Sequence, residues 1–170
     1  SVKDTLTLGA GCGMIDNLPD FPDPKQFDNS VKTKVALFHG TMIESKFTDT
    51  RITYDGYPWE WLDNGYDCAI LGDIHKYQIF PERKSGLLGG YSGSLIQQNF
   101  GESLFNHGYL LWDLNKDKIK ANIVHIRNNF GFLKLLYKEN TWKCEDNKLS
   151  SLIKKDDFPN ILKIRIFGNI

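Results

Sequence analysis

Short apolar runs bounded by polar residues dominate the first hundred positions of the chain. Residues 34–38 and 67–71 are two such runs, and their length and continuous hydrophobicity are typical of strands buried on both faces. Between them, residues 41–55 lack periodicity and predict a loop. Residues 58–62 predict a short helix, because Pro58 can occupy a first helical turn without losing a hydrogen bond. A strand, a helix and a second strand in this order predict neighbouring parallel strands.

The later half of the chain has a different pattern. Residues 108–114 and 118–123 flank a turn at 115–117, and the second limb alternates polar and apolar residues as an antiparallel hairpin does. Residues 130–137 predict another strand, residues 149–153 a weak helix, and residues 161–166 a last strand whose partners we expect beyond the chain. Near the start, residues 6–13 predict the end of a strand and a loop, and the prolines of residues 18–24 predict an ordered surface loop.

Composition narrows the class of protein. At 170 residues the chain fits one domain of ordinary size. Acidic and basic residues balance at 21 each, so no bulk positive charge indicates a nucleic-acid partner, although local patches can still bind one. Three widely spaced cysteines (Cys12, Cys68 and Cys144), no apolar run of membrane-spanning length and no signal peptide predict an intracellular protein, cytoplasmic or nuclear and not secreted.

Candidate metal ligands follow both predicted buried strands. His39 comes after the first strand, and Asp73 and His75 come after the second. The carboxyl ends of parallel strands meet at one sheet edge, where open α/β sheets bind ligands. These donors suit manganese, iron or zinc, and two-metal hydrolases use such groups to activate water on a phosphate. Three ligands are too few for two ions, and each residue alone could simply cap a strand or begin a turn.

Other residues allow both a functional and a structural interpretation. Lys76, Arg83 and Lys84 could position a DNA backbone or form a solvated basic loop, and the sequence favours neither. Packing against the sheet is favoured over base stacking for Tyr57, Trp59 and Trp61. Exposed or locally bonded side chains are favoured for His107 and His125, and a polar turn for residues 97–99. The glycine-rich residues 86–94 predict a close approach of backbone to another group.

Five blocks in order resemble the later half of a calcineurin-like metallophosphoesterase, and more closely the SbcD-type nuclease subunit of the double-strand-break repair complex. The blocks are Phe38-His39-Gly40, Leu71-Gly72-Asp73-Ile74-His75-Lys76, Tyr91-Ser92-Gly93-Ser94-Leu95, Asn99-Phe100-Gly101-Glu102 and His107-Gly108-Tyr109-Leu110-Leu111-Trp112-Asp113-Leu114. The resemblance implies an α/β (α+β) fold: part of the four-layer metallophosphoesterase β-sandwich with flanking helices, then the start of a capping domain. It places the C-terminal half of the phosphoesterase domain at residues 1–127 and the start of the capping or DNA-binding domain at residues 128–170.

The resemblance also implies roles for individual residues. His39 and His75 match metal ligands of the family, and Asp73 stands where a histidine is usual. Two divalent ions, manganese above all, would be the cofactors. Ser92 stands where a proline is common. The activity would be metal-dependent hydrolysis of DNA phosphodiesters in repair or recombination, with DNA, an SbcC-type ATPase subunit and a second copy of the chain as partners and no membrane.

The family's earlier motifs, Asp-x-His, Gly-Asp-x-x-Asp and Gly-Asn-His, do not precede His39. We therefore expect the chain to be the C-terminal part of a longer enzyme, inactive alone and without an assigned catalytic residue. Asp73-Ile74-His75 could itself be the Asp-x-His motif, but Gly-Asp-x-x-Asp and Gly-Asn-His do not follow it in the chain. A non-catalytic phosphoesterase-like scaffold, or a phosphatase or cyclic-nucleotide phosphodiesterase of the same superfamily, are the alternatives.

Overall fold

The computed structural model of the protein describes residues 7–12, 23–26, 33–48, 51–115, 118–144 and 147–168. Most of the loop predicted at residues 18–24 lies outside this range. The chain forms two compact units, one of Ser1–Gly93 with Tyr109–Val124 and one of Ser94–Gly108 with His125–Ile170. The predicted division at residue 127 stays a prediction.

The first unit contains a five-stranded sheet in the order β1-β2-β3-β5-β4. Its strands are β1 (Thr7–Cys12), β2 (Lys34–His39), β3 (Cys68–Gly72), β4 (Gln78–Ile79) and β5 (Leu88–Tyr91). Strands β1, β2, β3 and β5 are parallel, and β4 is antiparallel to β5. The two predicted buried strands and their parallel pairing are confirmed. Strand β5 was not predicted, since its sequence Leu-Gly-Gly-Tyr has little strand character.

The predicted α/β fold with flanking helices is wrong. The described residues are dominated by strands and contain one α-helix, the four-residue α1 (Leu149–Leu152), besides 3-10 segments at Pro24–Gln26 and Trp59–Trp61. The segment between β2 and β3 is instead mostly irregular chain, with isolated bridges pairing Met42 with Tyr57 and Lys46 with Ile52. It has no run of apolar residues at helical spacing, so it could not bury one face of a long helix.

Aromatic side chains form much of the core of this unit. The Tyr57 and Trp61 rings stack with centroids 4.9 Å apart, and Phe38 meets the Tyr57 ring edge to face at 5.0 Å. Trp59 contacts Phe80, with centroids 4.6 Å apart. These contacts cover apolar sheet surface that a parallel sheet cannot leave in water. The structural interpretation of the three aromatic residues at 57, 59 and 61 is thereby supported.

The predicted hairpin is confirmed as a two-stranded sheet of β6 (Gly108–Asn115) and β7 (Lys118–His125).

The second unit has a sheet in the order β10-β9-β8-β11, with β8 at Phe130–Lys138, β9 at Thr141–Cys144, β10 at Asn147–Lys148 and β11 at Ile161–Phe167. Strand β11 lies parallel to β8 and pairs with it over its whole length, so the expectation that its partners lie beyond the chain is wrong. Among the described residues, no helix has the length and apolar character needed to span a membrane.

Candidate functional site

The carboxyl ends of β2 and β3 are the centre of the candidate site. His39 and Gly72 are register partners, and the Gly40 N–H donates to the Gly72 carbonyl oxygen at 3.2 Å. The chain therefore leaves both strands at the same edge of the sheet. This is where the sequence predicted that His39 and the Gly72-Asp73-Ile74-His75 segment would meet.

The His39 ring packs closely against Gly72 of the neighbouring strand. A Cβ atom built on Gly72 would lie 2.9 Å from Cδ2 of His39, closer than real side chains approach. The imidazole thus lies against the bare backbone of the neighbouring strand while the residue stays exposed to solvent. A glycine at this position therefore leaves room for the ring against β3.

Asp73 leaves β3 in an unusual conformation. Its φ is 100°, a value that non-glycine residues rarely adopt. The Thr41 hydroxyl donates to the Asp73 carboxylate at 2.7 Å, and the residue is exposed. Residues held at such φ values store strain and are concentrated at functional sites. Thr41 therefore orients a solvent-facing carboxylate beside the end of β2.

His75 lies two residues further along the same loop. The buried side chain of Ile74 joins the core and anchors the loop, whereas His75 is exposed. Gly93 packs behind the loop, and a Cβ atom there would lie 2.8 Å from the His75 carbonyl oxygen. The imidazole of His75 thus belongs to a loop with a defined backbone.

The structure brings the three predicted ligands to one edge but does not gather them. Within the described part of the chain, no three His, Cys, Asp or Glu side chains form a group that could hold a metal ion. The donors His39, Asp73 and His75 are nevertheless the imidazole and carboxylate groups that manganese, iron and zinc accept. A cation held here would need further donors.

Tyr91, at the end of β5, belongs to this edge and was not predicted as a site residue. Its side chain is fully buried, and its hydroxyl donates to the Gly40 carbonyl oxygen at 2.7 Å and accepts from the Met42 N–H at 2.8 Å. Burial raises the pKa of Tyr91, and the negative charge of Asp73 adds to this increase. The hydroxyl fixes the chain directly after His39, so Tyr91 is a positioning residue for the site.

We expect Tyr91→Phe to lower the free energy of unfolding by about 1–3 kcal/mol, because it leaves a buried N–H and a carbonyl without their partner. Urea denaturation would measure the change. The raised pKa means that the folded protein holds the phenolic proton longer than the unfolded chain. The stability that Tyr91 contributes is thus complete below pH 10 and falls above it, and Tyr91→Phe should flatten that fall. An unchanged stability in the variant would contradict this role.

The basic residues after the candidate ligands have separate surroundings. Arg83 donates to Glu44 at 3.1 Å, and its guanidinium lies over the Trp59 ring, 4.5 Å from the centroid. Lys84 is exposed in a turn, and Lys76 is half-buried. Arg83 thus has a structural role in this unit, whereas Lys84 faces solvent.

The second unit contains a buried polar cluster around His107. Its Nε2 lies 2.8 Å from the Ser103 carbonyl oxygen and its Nδ1 lies 3.1 Å from the Ser94 hydroxyl, whereas His125 is exposed. Gln97 is buried at 2% exposure, and its side-chain amide bonds both the N–H and the carbonyl of Phe132, at 2.6 Å and 3.0 Å. Sequence predicted a polar turn at Gln97, whereas the amide continues the ladder of β8. The hydrogen bonds that His107 makes with Ser94 and Ser103 support the structural interpretation of this histidine.

No family model matches the chain. A stretch of 102 residues is 39% identical to uncharacterized protein R555 of Acanthamoeba polyphaga mimivirus. That stretch is 59% of this chain and 7% of the viral protein, so the chain corresponds to a small part of its relative.

Proposed function

We propose that this chain contributes ligands to a divalent-metal site of a nuclease that hydrolyses DNA phosphodiesters in repair or recombination, as the SbcD-type nuclease subunit does. The observation that carries the proposal is the convergence of His39 and the Asp73-Ile74-His75 loop at the carboxyl ends of two adjacent parallel strands. The five ordered sequence blocks add the resemblance to metallophosphoesterases. An SbcC-type ATPase subunit and a second copy of the chain are proposed partners.

The residues of this edge would have distinct roles. His39, Asp73 and His75 would hold the cation, manganese in our proposal, together with donors from elsewhere. Thr41 would keep the Asp73 carboxylate turned toward solvent through its hydrogen bond. If a divalent ion were held here, the chemistry that it would supply is activation of water and stabilisation of negative charge on a phosphate oxygen. The buried Tyr91 hydroxyl would keep the backbone after His39 in place.

Manganese binding tests the ligand assignment directly. We expect His39→Ala and His75→Ala each to weaken Mn²⁺ binding by about 10-fold or more, because even residues that only support a ligand change affinity on that scale. Titration of the full-length gene product, which would include the donors from elsewhere, followed by electron paramagnetic resonance would measure the affinity. His125→Ala, which removes an exposed histidine elsewhere, is the matched control. Equal Mn²⁺ affinity in all three variants and the parent would overturn the metal site.

Activity should be measured on the full-length gene product. Mn²⁺-dependent cleavage of linear DNA that falls with His75→Ala would support the nuclease. Hydrolysis of a nitrophenyl phosphodiester without DNA cleavage would favour a phosphatase or cyclic-nucleotide phosphodiesterase. Metal binding without hydrolysis of either substrate would favour a scaffold, and so would a coding sequence without Asp-x-His, Gly-Asp-x-x-Asp and Gly-Asn-His motifs.

A further inference from the structure

One face of the sheet in the second unit is basic and aromatic. Side chains alternate between the two faces of a strand, and register partners share a face. The core face of β8 carries Leu133 and Leu135, which are 2% and 8% exposed. The other positions of β8, with their partners on β9 and β11, define what we call the outer face: Phe130, Phe132, Lys134, Leu136, Lys138, Thr141, Lys143, Ile161, Lys163, Arg165 and Phe167.

The outer face has a strong excess of positive charge. Five of its eleven residues are Lys or Arg, and none of the eleven is Asp or Glu. Lys134 and Arg165 are register partners, so two cations lie side by side at the middle of the β8–β11 pair. Lys138 also forms an ion pair with Glu139 at 3.8 Å, and both side chains are exposed. A chain with no net charge thus places a local positive patch on this sheet.

Aromatic rings lie among these cations. Phe130 and Phe132 meet edge to face with centroids 5.1 Å apart, and Phe100 reaches Phe132 at 5.0 Å. The Arg165 guanidinium lies 4.4 Å from the Phe100 centroid, and Lys163 lies 5.9 Å from the Phe132 centroid. Phe130 and Phe167 are 40% and 47% exposed. Exposed apolar rings that are grouped with cations on one face are typical of an interaction site, so this face is a candidate for one.

We propose that the outer face binds single-stranded nucleic acid, with the cations contacting phosphates and the phenylalanine rings stacking on unpaired bases. Proteins that bind single strands combine a positive track with aromatic platforms in this way. The seven-residue strand β11 spans about 20 Å, which accommodates several nucleotides. A duplex would keep its bases stacked inside and use only the cations, and an acidic protein or an anionic membrane has no bases for the rings.

This inference deepens the proposed function by naming the form of nucleic acid that the protein holds. It is tested without metal, so its failure is distinguishable from a failure of the metal site. Fluorescence anisotropy in EDTA with labelled oligo-dT, oligo-U and a DNA duplex of equal length would measure binding by the chain. We expect micromolar affinity for the two single strands and weaker binding of the duplex.

Variants then separate the contribution of the cations to binding from that of the stacking rings. Lys134→Ala, Lys163→Ala and Arg165→Ala should each make the negative slope of log affinity against log salt less steep by about 0.7. Phe130→Leu should weaken binding by about 5-fold or more because it removes a stacking ring, whereas Phe130→Trp should retain it. Lys154→Ala and Ile153→Ala change exposed residues outside the outer face and serve as matched controls. Thermal melting would verify that every variant is folded.

Three outcomes would overturn the proposal. In the first, the duplex binds as tightly as the single strands and Phe130→Leu has no effect on binding, which would indicate attraction between charges alone. Poly-glutamate or vesicles containing phosphatidylserine could compete as well as oligo-dT, which would indicate an acidic protein or a membrane. Binding could also persist unchanged in the variants Lys134→Ala, Lys163→Ala and Arg165→Ala, which would place the nucleic acid elsewhere.

Discussion

Replacing Trp59 by alanine is expected to lower the free energy of unfolding of the first unit by about 3–5 kcal/mol. Trp59 is only 2% exposed, and it packs edge to face against Phe80 at 4.6 Å. Its indole N–H donates to the Ile43 carbonyl oxygen at 3.1 Å, and Arg83 covers the ring. Alanine would leave a cavity, an unpaired carbonyl and an uncovered guanidinium. Urea denaturation followed by circular dichroism would measure the loss.

The matched control is Tyr54→Ala, because Tyr54 is an aromatic residue that is 79% exposed. We expect that variant to change stability by about 0.5 kcal/mol or less. The comparison also decides between packing and base stacking for Trp59. A stable Trp59→Ala protein that had lost affinity for single-stranded DNA would contradict the packing role.

Trp59 also explains why strand β5 could not be predicted. A Cβ atom on Gly89 would lie 2.6 Å from the Trp59 ring, so the glycine makes room for the indole on the sheet. The glycine-rich residues 86–94 predicted a close approach of backbone to another group but did not identify that group. Glycine has a low strand propensity, so the local sequence argues against a strand here. Strand β5 forms nevertheless because Gly89 packs against Trp59, a residue thirty positions earlier in the chain. Such a contact is invisible to local pattern.

The hairpin and the strands β8 and β11 were easier to predict than the connections before residue 107, although β9 and β10 were not predicted. Alternation of polar and apolar residues in β7 indicated a hairpin, and the observed burial alternates accordingly. The connection from β2 to β3 predicted a helix at Pro58, but only the 3-10 segment Trp59–Trp61 forms. Three large rings at positions 57, 59 and 61 pack against the core from an irregular chain. An α-helix would turn Trp59 away from the face that Tyr57 and Trp61 share, whereas all three rings contact the core here.

Of the candidate site, only the positions of residues at the ends of the buried strands could be predicted from the sequence. The positions of His39 and Asp73 at one edge follow from two buried strands of similar length, a pattern that the sequence displays. The Thr41 hydrogen bond to Asp73 and the Tyr91 hydroxyl bonds to Gly40 and Met42 depend on loops. Their backbone conformations, including φ of 100° at Asp73, are set by tertiary packing.

Gly93→Ala is expected to lower the free energy of unfolding by about 2–5 kcal/mol. Gly93 has φ of 75°, which costs an L-residue roughly 1–2 kcal/mol. A Cβ atom would lie 2.6 Å from the Tyr77 backbone nitrogen and 2.8 Å from the His75 carbonyl oxygen. Backbone atoms cannot rotate away as a side chain can, so relieving the overlap costs roughly another 1–3 kcal/mol. Chemical denaturation would measure the total.

Gly86→Ala separates the two causes, because Gly86 has φ of 94° but nothing within 4 Å of its added Cβ atom. That variant carries the conformational cost alone, so Gly93→Ala should be less stable than Gly86→Ala by about 1–3 kcal/mol. The clash would also push the loop from His75 to Tyr77 away from the strand ends. Under the proposed metal site, Gly93→Ala should therefore weaken Mn²⁺ binding under conditions in which the protein is still folded, while Gly86→Ala should leave it unchanged. Equal stabilities of the two variants would show that the loop moves freely, and the position of His75 would then not depend on Gly93.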